Sequence, residues 1–385
     1  MTSSTVSPWA ARVAISAIFF FNGVGFASWV TRIPAVRHAL HLSDGLLGAA
    51  LFSLAAGALL SFPIAGRACA RYGARRVTLV TSVLYCFLLP LPVMADSLAL
   101  LVAALAFLGA ANGSMDVSMN AHAVEVETFV ERPIMSSLHG VWSVGGVVGA
   151  SLGGFAAGHG LSQQVHLSLV AATLLLGVAL SRAHLPPSTV HTGPAGPKFA
   201  LPSAAMLGLG CLIFCAFLIE GALADWSAVY FQDSLLTTPA VAAVGYGVFA
   251  FTMMAMRFLG DRAAAAFGAE ALLRWTNGVA ALALVLALWA QQVGLTVLAF
   301  AVTGVAIATV APLVFGAAAR RVDICAGEGI AAVAAMGYSG FLIGPAVIGF
   351  VAQTTSLRLA LGLLAAMAAV IAALSYQLRR DAPNP

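Results

Sequence analysis

Three carboxylates interrupt long apolar runs in this sequence: Asp116, Glu220 and Asp225. The other eleven of the fourteen acidic residues fall between such runs or at their ends. A charged side chain at the middle of a bilayer costs ~2.5–3.5 kcal/mol on insertion scales, so an acid kept there is a candidate for moving protons or ions. Asp116 stands four residues after Asn112 and four before Asn120. On a helix turning about 100° per residue, these three share a stripe about 80° wide. Gly109 and Gly113 lie beside it and admit a neighbouring backbone. A carboxyl supported by two amides can take up a proton on one side of a membrane and release it on the other. The same stripe also suits a polar network that only ties helices together. His139 and Trp142, early in the next apolar run, lie at its level.

Glu220 lies just past the middle of its run, and Asn22 holds the matching place in the first run. Glu220 is a second candidate for proton coupling or for meeting a solute; a hydrogen-bonded structural acid is the alternative. Asp225 is five residues on, ~140° around the helix, and so has a separate role. Near the outer end of its run it is expected to pair with Arg32 or Arg37 as a gate, or else to be a solvated end charge. Asn22 and Trp29, seven apart, share a face. An aromatic ring with amides beside it suits a sugar or another small polar ring, although Trp near a membrane end also serves as an interfacial anchor. Tyr246, Asn277 and Tyr338 are the polar candidates of the second half. With Asn112, Asn120, His139 and Trp142, these residues form the candidate substrate contacts.

The composition says what must position them. The chain has 385 residues, 61% hydrophobic and 8% charged, where a soluble domain is roughly 25% charged. Eighteen basic and fourteen acidic side chains cannot cover a water-soluble protein of this length. Soluble enzymes and nucleic-acid binders are excluded, and the net charge of +4 comes from short scattered clusters with a single Lys, Lys198. A spanning helix needs about 20 apolar residues. Twelve such runs occur, with cores at 11–31, 45–66, 77–95, 98–123, 136–158, 165–182, 203–229, 240–259, 272–290, 294–318, 329–352 and 357–377. The expected class is an all-α membrane protein. The first run is too long for a cleavable signal and leads directly into further spans.

A stretch rich in Pro and Gly, 183–202, reads as a cytoplasmic linker between an N-terminal six-helix bundle, 1–182, and a C-terminal one, 203–385. With the N-terminus inside, fifteen basic residues face the cytoplasm, Arg257 among them, and three (Arg32, Arg37, Arg358) face out. That asymmetry places both termini in the cytoplasm. The halves also repeat. A shift of about 198 aligns Asn22-Gly23 with Glu220-Gly221, and a shift of 195 aligns Gly73 with Gly268 and Gly145, Gly149 and Gly154 with Gly340, Gly344 and Gly349. The five cysteines show no metal spacing, and there is no H-E-x-x-H, nucleotide-binding loop or nucleophile–base pair. No cofactor, metal site or enzymatic activity is expected.

Gly66-Arg67-Ala68-Cys69-Ala70-Arg71-Tyr72-Gly73-Ala74-Arg75-Arg76 resembles the loop signature of the major facilitator superfamily, and Gly260-Asp261-Arg262 its partner in the second half. Ala27 to Arg37, His139 to Gly145, Glu220 to Trp226 and Gly337 to Pro345 resemble the YbjJ-type inner-membrane permeases of that superfamily. The resemblance implies twelve transmembrane helices in two pseudo-symmetric six-helix bundles and a secondary transporter working by alternating access. It further implies that spans one, four, seven and ten line the cavity, three of which carry Asn22, Asp116 and Glu220. Arg71, Arg75, Arg76, Asp261 and Arg262 are then gate residues. Ala70 replaces the usual acid of the first signature, so Arg71, Arg75 and Arg76 are expected to pair instead with Glu125, Glu127 or Glu131. The span-five motif G-x-x-x-G-P-x-x-G-G of proton-driven drug exporters is matched from Gly145 to Gly154 except for Ala150 in place of Pro. Their span-four Arg is missing as well.

The expectation is a monomeric secondary transporter in the bacterial inner membrane, moving a small polar, possibly sugar-like solute with protons. The alternative is a proton-coupled exporter of drugs or amphipathic metabolites. The lipid bilayer, a small-molecule substrate and protons are the expected partners, with no nucleic acid.

Overall fold

The computed structural model describes residues 6–132, 134–188, 206–319 and 326–381. Among them there is no strand; twelve helical stretches are long and apolar enough to cross a membrane. The helices are α1 (Pro8–Val30), α2 (Ile33–Ala39), α3 (Asp44–Tyr72), α4 (Ala74–Leu88), α5 (Leu98–Val130), α6 (Met135–Gly158), α7 (Gln163–Ser181), α8 (Leu207–Val229), α9 (Pro239–Phe267), α10 (Ala269–Ala290), α11 (Val293–Ile307), α12 (Val310–Ala319), α13 (Ala326–Thr354) and α14 (Leu357–Leu374). Hydroxyl caps start six of them: Ser7, Ser43, Ser97, Ser162, Thr238 and Ser356 each accept a hydrogen bond from an N–H of the first turn. The twelve expected spans are all present. The linker expected at 183–202 lies outside the described residues from 189 onward.

The first and seventh spans run further than their hydropathy suggested, each through an irregular turn. The first continues from Pro8 to Ala39, because α1 stops at Val30 and α2 restarts after a Thr31-Arg32 turn. Pro34 in the first turn of α2 has no N–H to extend α1 but suits a helix start. Arg32, expected in an outer loop, is therefore a buried residue within a span, 5% exposed. The seventh span extends to Ser234 through one wide turn at Tyr230–Ser234. Asp225, expected near the end of this span, lies nine residues before it, about 13 Å along the axis. The polar Gln232-Asp233-Ser234 had hidden the last helical turn.

Two compact units are present, one drawn from residues 1–41 and 53–195, the other from 42–52 and 196–385. In the first, α1 packs chiefly on α6 and then on α7 and α5, while α4 packs on α5. In the second, α8 packs on α13, α9 on α11 and α10 on α14. The sequence repeat corresponds to repeated geometry inside each unit. A Cβ at Gly145 would stand 2.3 Å from the Phe20 carbonyl, and one at Gly340 2.4 Å from the Phe214 carbonyl. Only glycine permits backbones to approach that closely. Gly73 and Gly268, which begin α4 and α10, adopt φ/ψ of 82°/142° and 81°/141°. Positive φ is the conformation glycine tolerates without steric cost.

Candidate functional site

In the first unit the polar residues of α1, α5 and α6 meet at Asn22. Its Nδ2 donates to Asn112 Oδ1 at 2.9 Å and approaches Met115 Sδ at 3.4 Å. Its Oδ1 accepts the Trp142 indole N–H at 2.8 Å, and its main-chain oxygen accepts from Tyr85 Oη at 3.4 Å. Asn22 is 3% exposed, so it works as the hub of a network rather than as an open binding group. Asn112 and Trp142 remain partly exposed and carry the edge of that network. One turn along α5, Asp116 accepts from Asn120 Nδ2, at 3.1 Å on Oδ1 and 2.9 Å on its carbonyl. Among the described residues no cation pairs with the Asp116 carboxylate.

Trp29 is buried rather than presented to solute, and its indole N–H has no partner among the described residues. Its ring borders a cavity of about 10 Å³ together with Phe26, Tyr85 and Asn112. That space holds at most one water. His139 sets its exposed ring edge-on to Phe19, with centroids 5.5 Å apart. Arg32 donates from Nε to His166 Nδ1 at 3.0 Å, and its Nη2 has no partner among the described residues. Its expected role with Asp225 thus begins from a bond inside the first unit. Arg37 lies on α2.

In the second unit Glu220 of α8 faces Arg257 of α9, with Oε1 3.5 Å from Nη2. Arg257, counted above among the cytoplasmic charges, is inside the span Pro239–Phe267 and supplies the counterion that hydropathy could not locate. Tyr246 is buried within electrostatic reach of Glu220, Arg257 and Asp225. Asp225 has no ion pair among the described residues. Beside Glu220 an aromatic cluster forms: Phe217 stands 4.6 Å from Phe341 and 5.8 Å from Tyr338, centroid to centroid. Phe217 and Phe341 were missed because a Phe in an apolar run is indistinguishable from lipid-facing surface until its neighbours are known. Phe217 precedes Glu220 by three residues, which puts both on one helix face. Asn277 is fully buried and donates to the carbonyls of Leu273 and Ala306 at 3.1 and 3.2 Å. It ties α10 to the end of α11 and presents nothing to a solute.

The basic signature is mostly helix, with Gly73 the one residue between α3 and α4. Arg75 donates from its main-chain N–H to Ser188 Oγ at 2.7 Å and from Nη2 to the Arg182 carbonyl at 2.8 Å. Glu125 accepts from Ser188 at 2.6 Å and lies 3.1 Å from His122 Nδ1; Glu127 accepts the N–H groups of Ile134 and Met135. The expected pairing of Arg71, Arg75 and Arg76 with Glu125, Glu127 or Glu131 is therefore absent among the described residues. Glu125 is used to dock the chain after α7, and Glu127 to start α6. Arg71 stacks instead over Tyr72, 5.2 Å from the ring centre. Arg76, Asp261 and Arg262 are exposed. Among the described residues no group of His, Cys, Asp and Glu is arranged to hold a metal.

The sequence profile of the Major Facilitator Superfamily matches residues 15–322. The chain belongs to that superfamily. It is 34% identical over 363 residues to an uncharacterised transporter of this type from Yersinia pestis, covering 94% of each chain. It is 35% identical to an uncharacterised transporter of Sinorhizobium fredii, over 95% of this chain and 98% of that one. The membrane protein MosC of Rhizobium meliloti is 32% identical, over 94% of this chain and 88% of MosC. Solved superfamily structures share the fold at low identity. The nucleoside transporter NupG aligns with a TM-score of 0.73 at 15% identity, covering 96% of this chain and 99% of that one. A D-xylose–proton symporter aligns with a TM-score of 0.73 at 13% identity, covering 96% and 97%. This superfamily member is a multi-pass bacterial membrane protein of a transporter family.

Proposed function

We propose that the chain is a proton-coupled secondary transporter of a small polar, sugar-like solute, working by alternating access in the bacterial inner membrane. The observation that carries this reading is Asp116, a carboxylate within a span whose one side-chain partner among the described residues is an amide. An acid kept at that depth for structure alone is expected to have a cation. An acid held only by Asn120 is suited to exist neutral and to lose its proton when water reaches it. Asn112, one turn away and oriented by Asn22, supplies a hydrogen-bond donor to a solute. Glu220 takes a second coupling role, since a proton arriving there ends its ionic pairing with Arg257. Tyr338 and Phe217, next to this pair, suit stacking against a ring. The structural neighbours named for nucleoside and D-xylose transport accord with cargo of that kind.

Setting Arg257 aside, fourteen of the remaining seventeen basic residues still fall on the side assigned to the cytoplasm, which supports cytoplasmic termini. Export of amphipathic compounds is the second reading, favoured by the near-match from Gly145 to Gly154. The deciding experiment is transport by purified protein in proteoliposomes with an imposed pH gradient, screened over pentoses, hexoses, nucleosides and cationic dyes. Accumulation of a sugar or nucleoside that collapses with a protonophore supports the proposal. Accumulation of dyes alone would assign the exporter.

A further inference from the structure

A groove of about 600 Å³ runs along the outside of the second unit between α10 and α14, bordered by Arg274, Trp275, Gly278, Leu282, Ala372 and Ala373. Its volume falls within the about 300–1,000 Å³ of ordinary ligand sites. Both helices belong to candidate membrane spans, so this face meets hydrocarbon rather than water. The groove is polar at one end and apolar at the other. Arg274 and Trp275 stand in the second turn of α10, and Leu282 is eight residues further, about 12 Å deeper along the axis. Gly278 and the two alanines make the floor, and a Cβ at Gly278 would meet nothing within 4 Å. The Trp275 ring is 71% exposed at the polar end, the level at which Trp marks a membrane interface.

Arg274 is 47% exposed and donates from Nη2 to Glu270, a pairing that leaves the other N–H groups of its guanidinium without a protein acceptor among the described residues. A guanidinium has five donors in a planar fork that fits a phosphate.

We propose that this groove is a binding site for one anionic phospholipid, with its phosphodiester on Arg274 and one acyl chain laid past Gly278 toward Leu282. A site with a cationic donor and an indole at headgroup level, continuing into a small-residue channel, has the polarity profile of a lipid. A glycerol headgroup leaves the phosphate to Arg274, whereas a choline headgroup brings a second cation to the same place. The proposal is independent of the solute carried and of its coupling.

The test is native mass spectrometry of the full-length protein released from nanodiscs containing equal phosphatidylglycerol and phosphatidylcholine. The expected wild-type result is one retained phosphatidylglycerol, favoured about tenfold over phosphatidylcholine, as one charge-assisted contact allows. Gly278→Leu fills the groove without touching an ion pair and should reduce retention about tenfold, with unchanged elution and melting temperature. Arg274→Gln should remove the preference for phosphatidylglycerol. Because that variant removes an ion-pair partner of the buried Glu270 and can fail to fold, Gly278→Leu decides alone if it does. Wild-type retention in Gly278→Leu overturns the proposal, as does equal retention of the two lipids by the wild type. Displacement of the lipid by millimolar inorganic phosphate would also overturn it, by making the site one for free phosphate.

Discussion

Trp142 donates its indole N–H to Asn22 Oδ1 at 2.8 Å, and because an indole nitrogen can only donate, this bond orients the hydrogen bonds beyond it. Asn22 must turn its Nδ2 toward α5, so Asn112 receives on Oδ1 and keeps its own amide N–H groups for whatever lies past it. Eight residues on, Asn120 faces the other way and gives its N–H groups to Asp116. The stripe on α5 thus offers a donor at Asn112 and acceptors at Asp116 and Asn120. A hydroxylated solute can satisfy both ends.

Replacing Trp142 by Phe should leave the buried Asn22 oxygen without a donor and lower stability by about 1–3 kcal/mol, read as a fall in melting temperature in detergent. Asn112→Ala should then cost less in the Trp142→Phe background than in wild type, because the two act through one network. Strict additivity in the four-protein cycle would mean that the relay does not exist.

Asp116→Asn should abolish accumulation driven by a pH gradient while leaving counterflow exchange of the same solute measurable. The substitution keeps an acceptor for Asn120, so the melting temperature should change by little. A variant that accumulates solute as wild type does would remove Asp116 from the coupling mechanism.

Glu220→Gln and Arg257→Gln each remove one partner of a half-buried pair and should each destabilise the protein by about 1–3 kcal/mol. The double variant should lose much less than the sum, and only the double should retain near-native yield. Equal, additive losses would show that the 3.5 Å approach carries no interaction.

Much of the fold was legible in the residues, and the reasons are physical. Spans announce themselves because hydrocarbon admits few polar groups, and the repeat was visible because Gly73 and Gly268 alone meet the same positive-φ demand at the same place in each half. Asp116, Asn112 and Asn120 were found because spacing on a helix fixes a face. What stayed hidden depends on neighbours far apart in sequence. Asn22 looked like a binding residue because nothing local reveals that Trp142, 120 residues later, occupies its oxygen. The engagement of Asn277 was hidden for the same reason, its amide being used by the Ala306 carbonyl. Arg257, near the end of the expected run 240–259, counted as a cytoplasmic charge because the continuation of α9 to Phe267, which leaves it well inside the helix, was not evident.

Gly145→Val and Gly340→Val should be about equally damaging, since each drives a side chain into a carbonyl of the facing helix at nearly the same distance, 2.3 and 2.4 Å. Both are expected to give little folded protein by size-exclusion analysis. Gly66→Ala, whose Cβ would meet nothing within 4 Å, should express as wild type does. Unequal damage at Gly145 and Gly340 would indicate that the two units depend on that crossing to different degrees.

The pairing of Glu220 with Arg257 also decides what the membrane voltage can act on. A unit charge falling through 100 mV exchanges about 2.3 kcal/mol of electrical work. While Glu220 is ionised, it and Arg257 together are a dipole with no net charge and gain nothing from such a fall, whereas an ionised Asp116 would be pulled by it. If Asp116 carries the proton, the resting potential acts on the empty carrier's return, and the chemical gradient acts on its loading.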